Sequence, residues 1–233
     1  MIQIIPSAQR FHVDRGWLDT YWLFSFDEYY DPANLRWSAL RVFNDDVIRP
    51  GQGFGMHPHR DMEIISYVLD GALEHHDSQG NHGVLHAGEL QVMSAGTGIV
   101  HSEHNHSKEQ PVHFLQLWIL PRTKGRKPRW QQRQFEPPER AGKLLPVVCS
   151  GAVPETLAID QDAVVYLSSL KPGEQVIHQA QPKRKAYLFV IAGSLSLNGT
   201  PLAAGDQARI DGEPELQIRA EKDSEMMLID LPQ

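Results

Sequence analysis

Two short strings in this 233-residue chain carry residue types suited to metal chemistry: His57-Pro58-His59 and His101-Ser102-Glu103. Successive side chains on a β-strand point to opposite faces, so residues two apart share one face. A His-x-His pair on a strand therefore aims both imidazoles into the same space. His101 and Glu103 repeat that spacing forty-four residues after His57, adding one imidazole and one carboxylate. If the two strands are neighbours, the four side chains converge on one point. Three neutral imidazoles and one carboxylate suit a single divalent cation: iron, cobalt, nickel, copper, manganese or zinc. A metal that takes five or six ligands keeps positions open there, and open positions are what chemistry requires.

The elements around these strings read as strands. Tyr21 to Phe26, Ile64 to Leu69 and Phe114 to Ile119 are short runs rich in aromatic and β-branched residues, and Ala163 to Leu170, Ala186 to Ile191 and Met226 to Leu231 repeat the style. Asp70-Gly71, Gln79-Gly80, Asn198-Gly199 and Asp211-Gly212 supply turns between them. No segment carries a long stripe of helical period. The order Val68-Leu69-Asp70-Gly71, a hairpin at Gln79-Gly80, then Ala87-Gly88-Glu89 returns as Val190-Ile191-Ala192-Gly193, a hairpin at Asn198-Gly199, then Ala204-Gly205-Asp206. This repeat predicts an all-β chain of two β-barrel (jelly-roll) domains in tandem, residues 1–134 and 145–233, joined by a connecting segment, 121–144.

Composition narrows the partners. A formal charge of −7 gives no sign of nucleic-acid affinity, which usually needs a basic surface. The local exception, Arg122 to Arg133, holds six basic and no acidic residues; a solvated linker is favoured there over a phosphate-binding patch. No apolar run approaches the roughly 20 residues of a membrane span. Cys149 is the single cysteine, so neither an intrachain disulfide nor a thiolate metal cluster is expected. With no signal-peptide pattern at Met1 to Pro6, the expectation is a cytoplasmic protein, monomeric or weakly oligomeric, without membrane or nucleic-acid partners.

The motifs support a resemblance. Gly51-x5-His57-x-His59-x3-Glu63-x7-Gly71 resembles the first motif of the cupin superfamily, with its glutamate one place early; Gly88, Gly96, His101 and Asn105 resemble the second, with two extra residues before His101 and Ser94 where proline is usual. The strings His57 to Glu63 and Gly96 to Glu103 are closer still to the pirin family, and the likeness covers residues 1 to 135. The resemblance implies a bicupin whose metal ligands are His57, His59, His101 and Glu103. Some bacterial pirin-like proteins cleave the flavonol quercetin with molecular oxygen, which would make a flavonoid the substrate and Glu103 the base for its 3-hydroxyl proton. Eukaryotic pirins are associated with transcription-factor complexes, so a metal-dependent binding or regulatory protein is the other reading. An enzyme acting on another small molecule is a third.

The remaining candidates are weaker. Glu63 shares strand parity with the histidines, which places it in the pocket or beside a ligand, orienting an imidazole. Phe54, Met56 and His113 are expected to line the cavity. His75, His76, His82 and His86 fall around the first hairpin, where solvated positions are the default, and the parity of His104 and His106 places them outside the pocket. Counting back from Gly193 as from Gly71 puts Gln179, Gln181 and Lys185 at the ligand positions of the second domain. That domain is therefore expected to bind no metal, and His178 to lie at the surface.

Overall fold

The computed structural model describes residues Met1–Gln233 and is built almost wholly of antiparallel strands. They are β1 (Ile2–Ile5), β2 (Phe11–Asp14), β3 (Leu18–Trp22), β4 (Leu40–Ile48), β5 (Gly53–His59), β6 (Glu63–Asp70), β7 (Ala72–Asp77), β8 (His82–His86), β9 (Glu89–Ser94), β10 (Ile99–Asn105), β11 (Val112–Ile119) and β12 (Arg129–Gln134). There follow β13 (Leu145–Cys149), β14 (Leu157–Ala158), β15 (Val164–Leu170), β16 (Gln175–Gln179), β17 (Arg184–Ala192), β18 (Ser194–Leu197), β19 (Thr200–Ala203), β20 (Gln207–Asp211), β21 (Glu215–Ala220) and β22 (Ser224–Pro232). No helix is long and apolar enough to cross a membrane.

The chain divides into two units. Phe11–Phe135 with Leu157–Gln161 forms the N-terminal unit; Met1–Arg10, Glu136–Thr156 and Asp162–Gln233 form the C-terminal unit. In the N-terminal unit one sheet runs β12-β9-β6-β11-β4-β3-β2 and the other β5-β10-β7-β8. Their inner faces share a core, with Leu18, Ile48, Val68, Val112 and Phe114 from the first sheet and Leu73 and Leu85 from the second. Alternation explains the sorting, because the even residues of β11 turn inward and the odd ones away. The unit is a jelly-roll sandwich whose sheets meet through side chains, so hydrogen bonding does not close it into one continuous barrel.

The C-terminal unit repeats the plan, with β1-β20-β17-β22-β15-β13 in one sheet and β16-β21-β18-β19 in the other. Leu188, Val190, Leu195, Leu197, Ile218 and Leu228 lie in its core. Its β18–β19 turn places Asn198 at φ 47° and Gly199 at φ 82°, both left-handed, as the tightest hairpin turns require.

The expected boundaries differ from this division in two places. Residues 1–10 belong to the C-terminal unit: β1 pairs with β20 from Ile2↔Ile210 to Ile5↔Gln207, and Ile2 and Ile4 pack on that unit's core. The basic stretch inside 121–144 is not a free linker either. Its β12 pairs with β9 from Arg129↔Ser94 to Gln134↔Glu89, and Trp130 packs against the core around Ile64, Met93 and Ile99.

Candidate metal centre

β5 and β10 are neighbours, and His57 and His101 stand directly opposite each other. Between His101 and Glu103 the register slips, so that Glu103 faces Phe54. This bulge brings Phe54 to the inner face with His57 and His59, while Met56 points outward by ordinary alternation from His57. The close approach needs a glycine at position 53, where a Cβ would sit 2.5 Å from the Glu103 carbonyl oxygen and 2.5 Å from His104 Cα.

The three imidazoles converge. Ring centroids lie 4.8 Å apart for His57 and His59, 4.4 Å for His57 and His101, and 4.9 Å for His59 and His101. His57 Nδ1 is 2.7 Å from the Gly55 carbonyl oxygen; donation there fixes the tautomer and leaves Nε2 with a free lone pair. His59 lies edge-on to Trp118, with ring centroids 4.8 Å apart. His101 is buried, and neither of its ring nitrogens has a hydrogen-bond partner. Burial, then the neighbouring His101 and His57, push the His59 imidazole down to about 4. Burial, then His57 and His75, push His101 down to about 3. Both rings are therefore neutral at pH 7.

Glu103 is buried and held from the other sheet. Ser66 Oγ donates to its Oε1 at 2.9 Å, Gln91 Nε2 to the same oxygen at 2.6 Å, and Gln116 Nε2 to Oε2 at 2.6 Å. Trp130 Nε1 donates to Gln91 Oε1 at 2.8 Å, fixing that amide. Residue type alone does not single out these amides, because β9, β11 and β12 reach the site only through the fold.

His75, expected in a solvated turn, is fully buried on the inner face of β7, stacked on Trp130 at 5.4 Å. Its Nε2 lies 3.3 Å from Asp77 Oδ2, and it groups with His101 and Glu103 as a possible ligand set. The hairpin was legible in the sequence, but which residues of β7 face inward was not.

A cavity of about 270 Å³ opens beside these groups, at the low end for small-molecule sites. His57, His59, Glu103 and Gln116 reach it, and Trp17, Trp22, Phe26, Phe54 and Trp118 give it aromatic walls. Asp46 also lines it; burial pushes this carboxyl up to about 7, against the opposing hydrogen bond from the Thr20 hydroxyl.

Of the expected lining residues, Phe54 is in place and three others are not. Met56 is exposed beside the bulge. His113 points away from the cavity and lies 2.6 Å from Asp45 Oδ1, because the inward residues of β11 are the even ones. Glu63 opens β6 in the opposite sheet, so its parity with His59 does not survive the turn; it accepts from Ser94 Oγ at 2.5 Å and lines a separate polar pocket with Arg126, Lys127, Arg129 and Asp160. Burial raises the Glu63 carboxyl above its ordinary range. Arg122 and Arg126 reach Asp160 Oδ1 at 3.5 and 3.3 Å, so the basic stretch is anchored to its own unit. His178 is buried rather than at the surface, 3.1 Å from Asp230 Oδ2, and Arg184 donates to the other oxygen at 2.7 Å.

His101, buried and neutral with both ring nitrogens unpartnered, has the protonation state and vacancy that a divalent cation needs, and the neutral His59 stands beside it. The carboxylate beside them supplies charge. The donor set therefore fits one borderline divalent ion.

Two jelly-roll units with a histidine and glutamate centre in the first define a cupin protein with a tandem of domains. The chain belongs to the pirin family: residues 6–119 match Pirin, and residues 147–231 match the quercetinase C-terminal cupin domain. It is 45% identical over 232 residues to a protein of Escherichia coli strain K12 named quercetin 2,3-dioxygenase, covering 100% of this chain and 99% of that one. It is 43% identical over 232 residues to a Pseudomonas aeruginosa protein named putative quercetin 2,3-dioxygenase, covering 99% of this chain and 100% of the relative. A crystal structure of the Escherichia coli bacterial pirin YhhW in complex with nickel(II) superposes with a TM-score of 0.95 at 44% identity, covering 100% of this chain and 99% of that one.

Proposed function

We propose that the chain is a metal-dependent oxygenase that opens the oxygen-bearing ring of a flavonol such as quercetin, taking up molecular oxygen and releasing carbon monoxide. The carrying observation is that the unengaged edges of His57 and His59 and the Glu103 carboxylate share one aromatic-walled cavity. The Escherichia coli and Pseudomonas aeruginosa names support the substrate class.

In this reading His57, His59, His101 and Glu103 hold one divalent cation. When bound, it supplies Lewis-acid stabilisation of the substrate's ionised hydroxyl. Glu103 accepts the 3-hydroxyl proton as general base. Ser66, Gln91 and Gln116 hold its two oxygens in place before and after that transfer. Trp22, Phe26, Phe54 and Trp118 offer flat apolar walls to the flavonol rings and keep water from them. A cytoplasmic location and a flavonoid partner go with this assignment.

The test strips the protein of metal, reloads it anaerobically with each candidate ion, and follows oxygen uptake with the fall of flavonol absorbance. Turnover that depends on metal and is lost in both His57→Ala and Glu103→Ala supports the reading. A tightly bound ion without turnover for any metal would overturn it, leaving a binding or regulatory role.

A further inference from the structure

The strand β7 carries chemistry on both faces. His75 and Asp77 turn inward, whereas Glu74 and His76 turn out to solvent. Across the hairpin His82 of β8 stands directly opposite His76, and their rings stack with centroids 4.0 Å apart and planes 12° from parallel. Both Nε2 atoms point at the same oxygen: His76 and His82 each lie 3.0 Å from Glu74 Oε1. His106, just beyond β10, reaches the other oxygen, with Nδ1 3.0 Å from Oε2. The main chain holds it there through a bond from its N–H to the Ala72 carbonyl, 3.0 Å.

The ligand atoms of Glu74, His76 and His82 all lie within 4.8 Å of one another. Metal–ligand bonds of about 2.0–2.2 Å in a tetrahedral site put neighbouring ligand atoms roughly 3.3 Å apart, so little movement is needed to admit an ion. The three side chains come from one tight hairpin, which fixes their spacing before any ion arrives. Exposed ion pairs of this kind add little stability, so stability alone does not account for three imidazoles gathered on one carboxylate. Two imidazole nitrogens exclude magnesium and calcium, which prefer oxygen ligands.

We propose that Glu74, His76 and His82 form a second divalent-cation site, for zinc, copper(II) or nickel(II), on the solvent face of the β7–β8 hairpin. His106 orients the carboxylate from behind by holding Oε2, as a supporting residue does around many metal ligands. The site is separate from the cavity, takes its remaining ligands from water, and does not depend on the flavonol reading.

Equilibrium dialysis of metal-stripped protein against zinc, with ions counted per chain, tests it. The wild type is expected to hold one ion more than the double variant His76→Gln/His82→Gln. The double variant His57→Ala/His59→Ala is expected to keep the hairpin ion. Circular dichroism and melting without metal check that both variants fold. With copper(II), the cavity variant is expected to show nitrogen splitting in its electron paramagnetic resonance spectrum, lost when His76 and His82 are also replaced. A zinc count left unchanged by His76→Gln/His82→Gln overturns the proposal, whatever the cavity binds.

Discussion

Gln116 Nε2 donates to Glu103 Oε2 at 2.6 Å, joining β11 of one sheet to β10 of the other at the centre of the candidate site. The amide has its own support, since Trp118 Nε1 donates to Gln116 Oε1 at 3.3 Å. A hydrogen bond to a buried charged group contributes about 1.5–3 kcal/mol. Replacing an outer partner of a metal ligand typically costs about 10–100-fold in affinity or activity. Gln116→Leu is accordingly expected to weaken metal binding or flavonol turnover by about that factor, while Gln116→Glu repels the carboxylate and does worse. Competition titration with a chromophoric chelator reads the first quantity; wild-type affinity and turnover in Gln116→Leu would show the contact to be idle.

His59 and His101 make the metal-free protein sensitive to acid. Their folded values, about 4 and about 3, lie below the unfolded value of 6.5. Between those limits the unfolded chain binds protons that the folded chain refuses. Their contribution is whole above pH 6.5 and is lost as pH falls toward 4. Each histidine has a limiting slope of about 1.4 kcal/mol per pH unit. Urea unfolding of metal-free protein at pH 7, 6 and 5 is expected to show falling stability, with a shallower fall in His101→Gln. An equally steep fall in that variant would contradict the assignment.

Asp46 works in the opposite sense. Its folded value of about 7 lies above the unfolded 3.8, so the folded chain holds a proton that the unfolded chain has released. Its contribution is whole below pH 3.8 and is lost as pH rises through 7. Asp46→Asn keeps a neutral side chain beside Thr20 at every pH. The gap in unfolding free energy between the variant and the wild type should widen in the variant's favour from pH 5 to pH 8. A constant gap would mean that the Asp46 carboxyl is not raised.

The ligand strings were legible in the sequence because strand parity is a local rule, and His57, His59 and His101 obey it. Parity misled where the chain changed sheet or slipped register. Glu63 crosses to the other sheet after Asp61, a non-glycine residue at φ 47°. Phe54, out of phase with His57, reaches the cavity only through the bulge opposite Glu103, whereas Met56 lies outward as parity from His57 requires. Gln91, Gln116 and Trp130 were invisible for a different reason. Glutamine and tryptophan in strands have no chemistry of their own until the fold aims them at a carboxylate. The jelly-roll class was legible from turns and strand runs, whereas β1 was not, because no local signal says which sheet an edge strand joins.

Gly53 tests how closely β5 must approach β10. Its added Cβ would meet main-chain atoms on both sides of the Glu103–His104 peptide, and backbone yields less readily than the end of a side chain. Overpacking of this kind costs about 1–3 kcal/mol. Gly53→Ala is expected to lower the melting temperature and to weaken metal binding, because separating the strands moves His57 from His101. By contrast Gly55, where an added Cβ would meet nothing within 4 Å, should tolerate alanine far better. Equal losses at 53 and 55 would remove the steric argument.

The first five residues are expected to stabilise only the C-terminal unit. β1 completes the edge of β20, and Ile2 and Ile4 pack against the core around Leu188 and Ile210. Half-burial of two isoleucines contributes roughly 2–3 kcal/mol, and the uncovered strand becomes a template for association. All five tryptophans, at positions 17, 22, 37, 118 and 130, lie in the N-terminal unit, so their fluorescence reports that unit alone. Deleting Met1 to Ile5 should therefore lower the calorimetric transition of the C-terminal unit while the tryptophan transition stays where it was. If the two transitions fall together, β1 supports the whole chain and its allegiance to one unit has no energetic meaning.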